Sequence, residues 1–224
     1  MDNFEERACA CALNRIFGFS PRIGTALISH LGNASEIFRL SRTELEDLLG
    51  RDSRHIGMIG SEAIKAARQE LTDLEKIGIS FSAWNSASYP PLLKECADAP
   101  VGLYIRSVTP ARELWNPSGN IAVVGTRDLS PYGKEWCEKA VTAIASGNEK
   151  PSIISGLALG TDICAHRTAL DNGLPTIGVM ATGPETVYPY RHKEFGERLW
   201  KTPGCALVTD YPPGTAPLAI HFLR

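Results

Sequence analysis

"SIISGLALGTDICAH", residues 152–166, decides the fold. A short β-branched run, Ile153 and Ile154, meets a turn carrying Gly156 and Gly160, and Thr161-Asp162 then opens a helix-spaced run to His166. Strand, glycine turn and helix in succession form half of a βαβ unit. Glycine tolerates positive φ and a close backbone approach where a Cβ would clash. Thr161 or Asp162 is expected to cap the helix by accepting from its first N–H groups. Those same N–H groups, with the helix dipole behind them, favour a phosphate. On this stretch alone the glycines read equally as a phosphate cradle or as helix–sheet packing.

The pattern repeats on either side. "NIAVVG" (120–125), "TIGVMA" (176–181) and "CALVTDY" (205–211) read as further apolar strands. "SPYGKEWCEKAVTAIAS" (130–146), "GTDICAHRTALDNG" (160–173) and "RHKEFGERLWK" (191–201) read as the helices between them. Apolar strands alternating with helices of this length predict a parallel sheet covered on both faces, an α/β, Rossmann-like doubly wound arrangement. Ligands of such sheets sit beyond the carboxyl ends of the strands. The loops of interest are therefore "GTRDLSPYG" (125–133), "SGLALGTD" (155–162), "ATGPETVYPYRH" (181–192) and "DYPPGTAP" (210–217).

Upstream the rhythm differs. "ERACACALNRIF" has apolar spacing near that of a helix, and "GFSPRIG" (18–24) supplies a turn with Pro21 and Gly24 before another amphipathic run. Ser35 and Ser41 are cap signals, the second followed by Glu44 in a capping-box pattern, and "SEAIKAARQELTDLEKIG" is a long helix closing at Gly78. This predicts a small all-α domain over residues 1–78, read either as a helix-hairpin-helix module or as a packing bundle. Residues 79–118 are expected to be a Pro-punctuated linker with short strands at "ISFSAW" and "GLYIR", leading to the Rossmann-like domain at 119–224.

Composition narrows the function classes. The 224 residues are 43% hydrophobic and 21% charged, as expected of a globular chain. No apolar run approaches membrane-spanning length, and Met1 leads into Asp2, Glu5 and Glu6 rather than a basic leader, so a cytoplasmic protein without membrane association is expected. Six cysteines at 9, 11, 96, 137, 164 and 205 form no C-x-x-C pair, which suits reduced thiols and argues against a structural zinc. A net charge of −2 argues against coating nucleic acid by bulk attraction and leaves room for a local basic pocket.

Within the loops, Gly125 lets the chain turn, Thr126 offers a hydroxyl, and Arg127 offers a fork that suits phosphate, or else an ion pair with Asp128 or Asp162. "SGLALGTD" lacks G-x-G-x-x-G spacing, and no G-K-[ST] occurs, so neither a dinucleotide fingerprint nor a Walker loop is present. His166 falls one turn after Asp162, placed for acid–base work or for a satisfied core position. "YPYRHKEF" gathers Arg191, His192 and Lys193 beside Tyr188 and Tyr190, either the interleaving that single-stranded nucleic acid needs or a solvated helix start. A nucleophile elbow is missing, and no carboxylates pair convincingly for hydrolysis.

Together these loops resemble the DNA-processing protein A (DprA, or Smf) family over roughly residues 85–224, and the helices of 1–78 sit where many members carry a helix-hairpin-helix or sterile-alpha-motif-like domain. The blocks are "YPPLL" with "PVGLYIR", "AVVGTRDLSPYG", "SGLALGTDICAHRTAL", "GVMATGPETVYP" and "DYPPGTAPLAIHF". The resemblance implies a single-stranded DNA-binding protein, not an enzyme, with no cofactor and no metal. It further implies a homodimer that protects incoming DNA in natural transformation and recombination and helps load the RecA recombinase. The family's G-[ST]-R motif falls on Gly125, Thr126 and Arg127, and its glycine-rich block on Ser155, Gly156, Ala158, Gly160 and Asp162. The aromatic of its H-F segment falls on Phe222, a stacking platform. Arg191 and Lys193 join these as candidate DNA contacts. Ala219 stands where some members carry a basic residue, and members continue past the H-F block with an Arg-Asn-Arg stretch, a helix and strands. The domain is accordingly expected to be incomplete at Arg224. The alternative is a phosphoribohydrolase-like enzyme acting on nucleoside monophosphates, whose P-G-G-x-G-T-x-x-E hallmark has only "PPGTAPLA" as a counterpart.

Overall fold

The computed structural model describes residues 3–115 and 119–223; residues 116–118 of the expected linker and Arg224 lie outside the described residues. The chain divides into two compact units, Met1–Tyr104 and Ile105–Arg224.

In the first unit α1 (Phe4–Ile16) is the central element. Its small side chains Ala8, Cys9, Ala10, Cys11 and Ala12 are all buried, so neighbours pack against it closely on several sides. Around it lie α2 (Pro21–Leu31), α3 (Ala34–Ile37), α4 (Arg42–Leu49), a 3-10 turn at Ile56–Met58 and α5 (Ser61–Lys76). The Ser41–Glu44 capping box forms at the start of α4. Ser35 does not cap: Asn33 holds the cap position of α3, and the backbone N–H of Ser35, like that of Ala34, donates to the Glu6 carboxylate. The expected turn at Pro21 and Gly24 is instead the first part of α2. Pro21 occupies the first turn, where it forfeits no helical hydrogen bond, and Gly24 sits inside the helix. A Cβ there would fall 2.5 Å from Val101 Cγ2, so Gly24 answers a packing demand rather than a turn. Strand β1 (Ile79–Ala83) packs into the same core through Ile79, Phe81 and Ala83. A short helix α6 (Pro91–Lys94) follows, and β2 (Gly102–Arg106), which lies beside β1, runs across the unit boundary.

In the second unit, after the short helix α7 (Ala111–Leu114), the strand–helix alternation appears as read. Strands β3 (Asn120–Ala122), β4 (Ser152–Gly156), β5 (Thr176–Val179) and β6 (Ala206–Thr209) are joined by α8 (Pro131–Ala145), α9 (Thr161–Asp171) and a 3-10 turn at Tyr190–His192 leading into α10 (Lys193–Lys201). Neighbouring strands are parallel, with Ile121 opposite Ile153, Ile154 opposite Ile177 and Ile177 opposite Ala206. Val141 and Ala145 of α8 and Ala165 and Ala169 of α9 close over Ile121, Val123 and Ile153. A second cluster joins Leu199 and Phe195 of α10 to Leu157, Met180 and Leu207.

Cover on both faces, expected for every strand, holds at β5 and β6, where Ile177, Ala206 and Val208 are buried. It does not hold at β3, since Ala122 is exposed and Val124 is 75% exposed. From β3 to β6 consecutive strands are spatial neighbours, and β3 forms the edge of the sheet. No helix among the described residues is long and apolar enough to cross a membrane.

Candidate nucleic-acid interface

The loops after β3 and β4 meet at their backbones. The N–H and the hydroxyl of Thr161 both donate to the Thr126 carbonyl, at 3.0 and 3.2 Å. Glycine is needed at this junction. At Gly160 φ is +76°, and a Cβ would lie 2.3 Å from the Thr126 oxygen and 2.7 Å from that of Arg127. A Cβ on Gly125 would lie 2.5 Å from Thr161 Oγ1, and one on Gly156 would lie 2.6 Å from Asp162 Oδ2. Gly125 and Gly160 therefore serve the close approach of two loops, and Gly156 the close packing of Asp162 within its own loop.

Neither Thr161 nor Asp162 caps α9, contrary to expectation; Gly160 holds the cap position. Asp162 is buried, and its Oδ2 accepts the N–H of Ala158 at 3.3 Å, bracing the glycine loop from within. Burial raises its pKa above the usual carboxylate value, against the opposing pull of that N–H and of the Arg127 charge. Ser155 is buried too, and its hydroxyl donates to the Val123 carbonyl at 2.5 Å, tying β4 to β3. Thr126 Oγ1 accepts the N–H of Asp128 at 3.1 Å and tightens the turn that presents Arg127.

Arg127 is exposed, and among the described residues it forms no ion pair with Asp128 or Asp162. Its guanidinium lies 5.5 Å from the centroid of the Phe222 ring. Tyr188 meets the same ring at 5.8 Å and 57°. Three loops thus converge on one patch with a cation and two half-exposed aromatics. Phe222 is delivered there by its neighbour. The His221 ring packs against Tyr211 at 4.5 Å with the planes tilted by 37°, its Nδ1–H donates to the Ala216 carbonyl at 2.8 Å, and Tyr211 Oη donates to the His221 carbonyl at 3.2 Å. That anchoring left no sequence signal, because it joins residues ten apart in an irregular segment. The Tyr188–Phe222 contact was equally invisible, although the aromatic-basic run containing Tyr188 stood out.

Lys193 and Arg191 are exposed, and Lys193 Nζ lies 5.6 Å from the Tyr190 ring, which is 74% exposed. His192 leaves that basic cluster: it is buried, and its Nδ1–H donates to the Leu157 carbonyl at 2.8 Å. His166 is the satisfied core histidine of the two readings. It is fully buried, its Nε2–H donates to the Gly156 carbonyl at 2.7 Å, and Nδ1 faces the Thr176 hydroxyl at 2.7 Å. Burial pulls its pKa down to about 4, so the ring is neutral. The three histidines of the second unit therefore act as backbone braces, two of them on consecutive carbonyls of the glycine loop.

A guanidinium over an aromatic face, with no ion-pair partner among the described residues and at the carboxyl ends of parallel strands, has the chemistry to meet a phosphate and to stack a planar base. The chain is also similar to known proteins. The chain is 33% identical over 160 residues to protein Smf of Escherichia coli K12, covering 71% of this chain and 41% of that protein. It is 34% identical over 143 residues to DNA processing protein DprA of Streptococcus pneumoniae R6, covering 64% and 47%. The chain thus spans about half the length of the curated relatives it matches. The X-ray structure of DprA from S. pneumoniae superposes with a TM-score of 0.59 at 28% identity, covering 83% of this chain and 66% of that one. A structure described as giving insight into the single-stranded DNA binding mode of DNA processing protein A from Helicobacter pylori gives 0.51 at 27%, covering 60% and 58%. Residues 80–224 match the family model described as DNA recombination-mediator protein A, and the chain belongs to that family, whose relatives bear the names DprA and Smf.

Proposed function

We propose that this chain binds single-stranded DNA at the carboxyl ends of β3 and β4 and does no chemistry on it. Arg127 contacts a phosphate, Phe222 carries a base, and Arg191 and Lys193 supply further cations. Gly125, Thr126, Ser155, Gly156, Gly160 and Asp162 form the double loop that holds Arg127 in place. The observation that carries this reading is the Arg127 guanidinium over the Phe222 ring, without an ion-pair partner among the described residues. It is supported by family membership and by the similarity to the H. pylori protein described by its single-stranded DNA binding mode. In the cell the role is that of a DprA/Smf protein: a cytoplasmic homodimer that shields incoming single strands and helps place RecA on them during transformation and recombination.

A nucleoside-monophosphate hydrolase is the weaker reading, because the buried histidines are engaged with backbone and "PPGTAPLA" has no glutamate. Fluorescence anisotropy of labelled single- and double-stranded oligonucleotides at two salt concentrations tests the proposal. Salt-sensitive binding that prefers the single strand supports it; a folded chain that binds neither refutes it.

A further inference from the structure

The second exposed aromatic of the loop before α10 has no task in the site so far described. Tyr188 and Tyr190 flank Pro189, whose backbone is extended at φ −68° and ψ 149°. Tyr188 belongs to the Phe222 patch through its ring contact. Tyr190 leaves that patch and pairs with Lys193, with Arg191 exposed beside it. Among the described residues neither Lys193 nor Arg191 is in an ion pair. The pattern of Arg127 on Phe222 is thus repeated by Lys193 on Tyr190, with Tyr188 next to Pro189 touching the first of the two.

Ring exposure matters here. A side chain that is 74% exposed contributes little to the core, so packing does not explain its place beside two cations that form no ion pair among the described residues. Aromatic faces next to cations match the alternating base and phosphate of a single strand, and Tyr190 stands two residues from Tyr188, which touches the Phe222 ring of the proposed site.

We infer that Tyr190 and Lys193 form a second base-stacking subsite, so that a single strand entering at Phe222 continues past Tyr188 and places a neighbouring nucleotide on Tyr190. This rests on the proposed single-strand reading and adds the direction of the strand across the surface. It also assigns Lys193 to the phosphate beside the second base.

The experiment compares wild type, Tyr190→Ala, Tyr190→Phe and Arg127→Ala by anisotropy on oligothymidylates of increasing length and on an abasic strand of equal charge. Tyr190→Ala is expected to weaken binding by about 5- to 150-fold on strands long enough to reach both subsites, the range for loss of one stacked base. It is expected to change nothing on the abasic strand, and Tyr190→Phe is expected to retain wild-type affinity. If Arg127→Ala loses binding while Tyr190→Ala matches wild type at every length, the second subsite is refuted and the first stands. If wild type fails to bind, or Arg127→Ala binds unchanged, the underlying reading fails instead. Equal losses on normal and abasic strands would refute stacking at Tyr190.

Discussion

Thr161 donates both its amide and its hydroxyl hydrogen to one acceptor, the carbonyl oxygen of Thr126. The first residue of α9 thereby fixes the residue immediately before Arg127, and two loops separated by more than thirty positions become one rigid support. The cation at the strand ends is placed by backbone rather than by a side-chain partner, which leaves its guanidinium free for a ligand.

Gly160→Ala tests that support. The substitution forces a Cβ onto a residue with φ of +76° and drives it against the carbonyls of Thr126 and Arg127. A loss of about 2 kcal/mol or more is expected from urea denaturation midpoints, because a strained left-handed backbone and a steric clash add. Oligonucleotide affinity should fall with it.

Arg127→Ala should leave the fold intact, since the side chain is exposed and has no ion-pair partner among the described residues. Affinity should drop across all sequences, because phosphate contacts carry no base information. The slope of log K against log salt should flatten by about 0.7, the value for one phosphate contact on a single strand. An unchanged slope would remove Arg127 from the interface.

Phe222→Ala should cost about 1–3 kcal/mol of binding if a base stacks on the ring. The ring is 38% exposed, so circular dichroism should be unaltered. Unfolding instead of weaker binding would assign Phe222 to the core.

His166 gives a pH signature. Its folded-state pKa is depressed by burial from 6.5 to about 4, so between those values the unfolded chain binds a proton that the native ring refuses. Stability from this residue is complete above 6.5 and is lost as pH falls toward 4. The loss should amount to about 2 kcal/mol between pH 7.5 and pH 5. Denaturation midpoints at those two pH values check it, and a His166→Gln variant should show a correspondingly weaker dependence.

Much of this was written in local sequence. The alternation of apolar strands and helices from residue 120 onward specified a parallel sheet, because strand and helix periods are local properties and glycine marks the turns. The Ser41–Glu44 box formed as read, since its partners sit three residues apart. The strand-end loops were identifiable for the same reason, and with them Arg127.

Roles that depend on distant partners were decided only by tertiary structure. Gly24 reads as a turn until Val101 occupies its missing side chain. Asp162 reads as a helix cap until burial turns it toward Ala158. His192 reads as one of three basic groups until it reaches the Leu157 carbonyl. Above all, the contact of Arg127 with Phe222 joins residues from loops at opposite ends of the second unit. Local propensity fixes which elements form, whereas close packing and the need to satisfy buried polar groups fix which of their side chains remain free to bind.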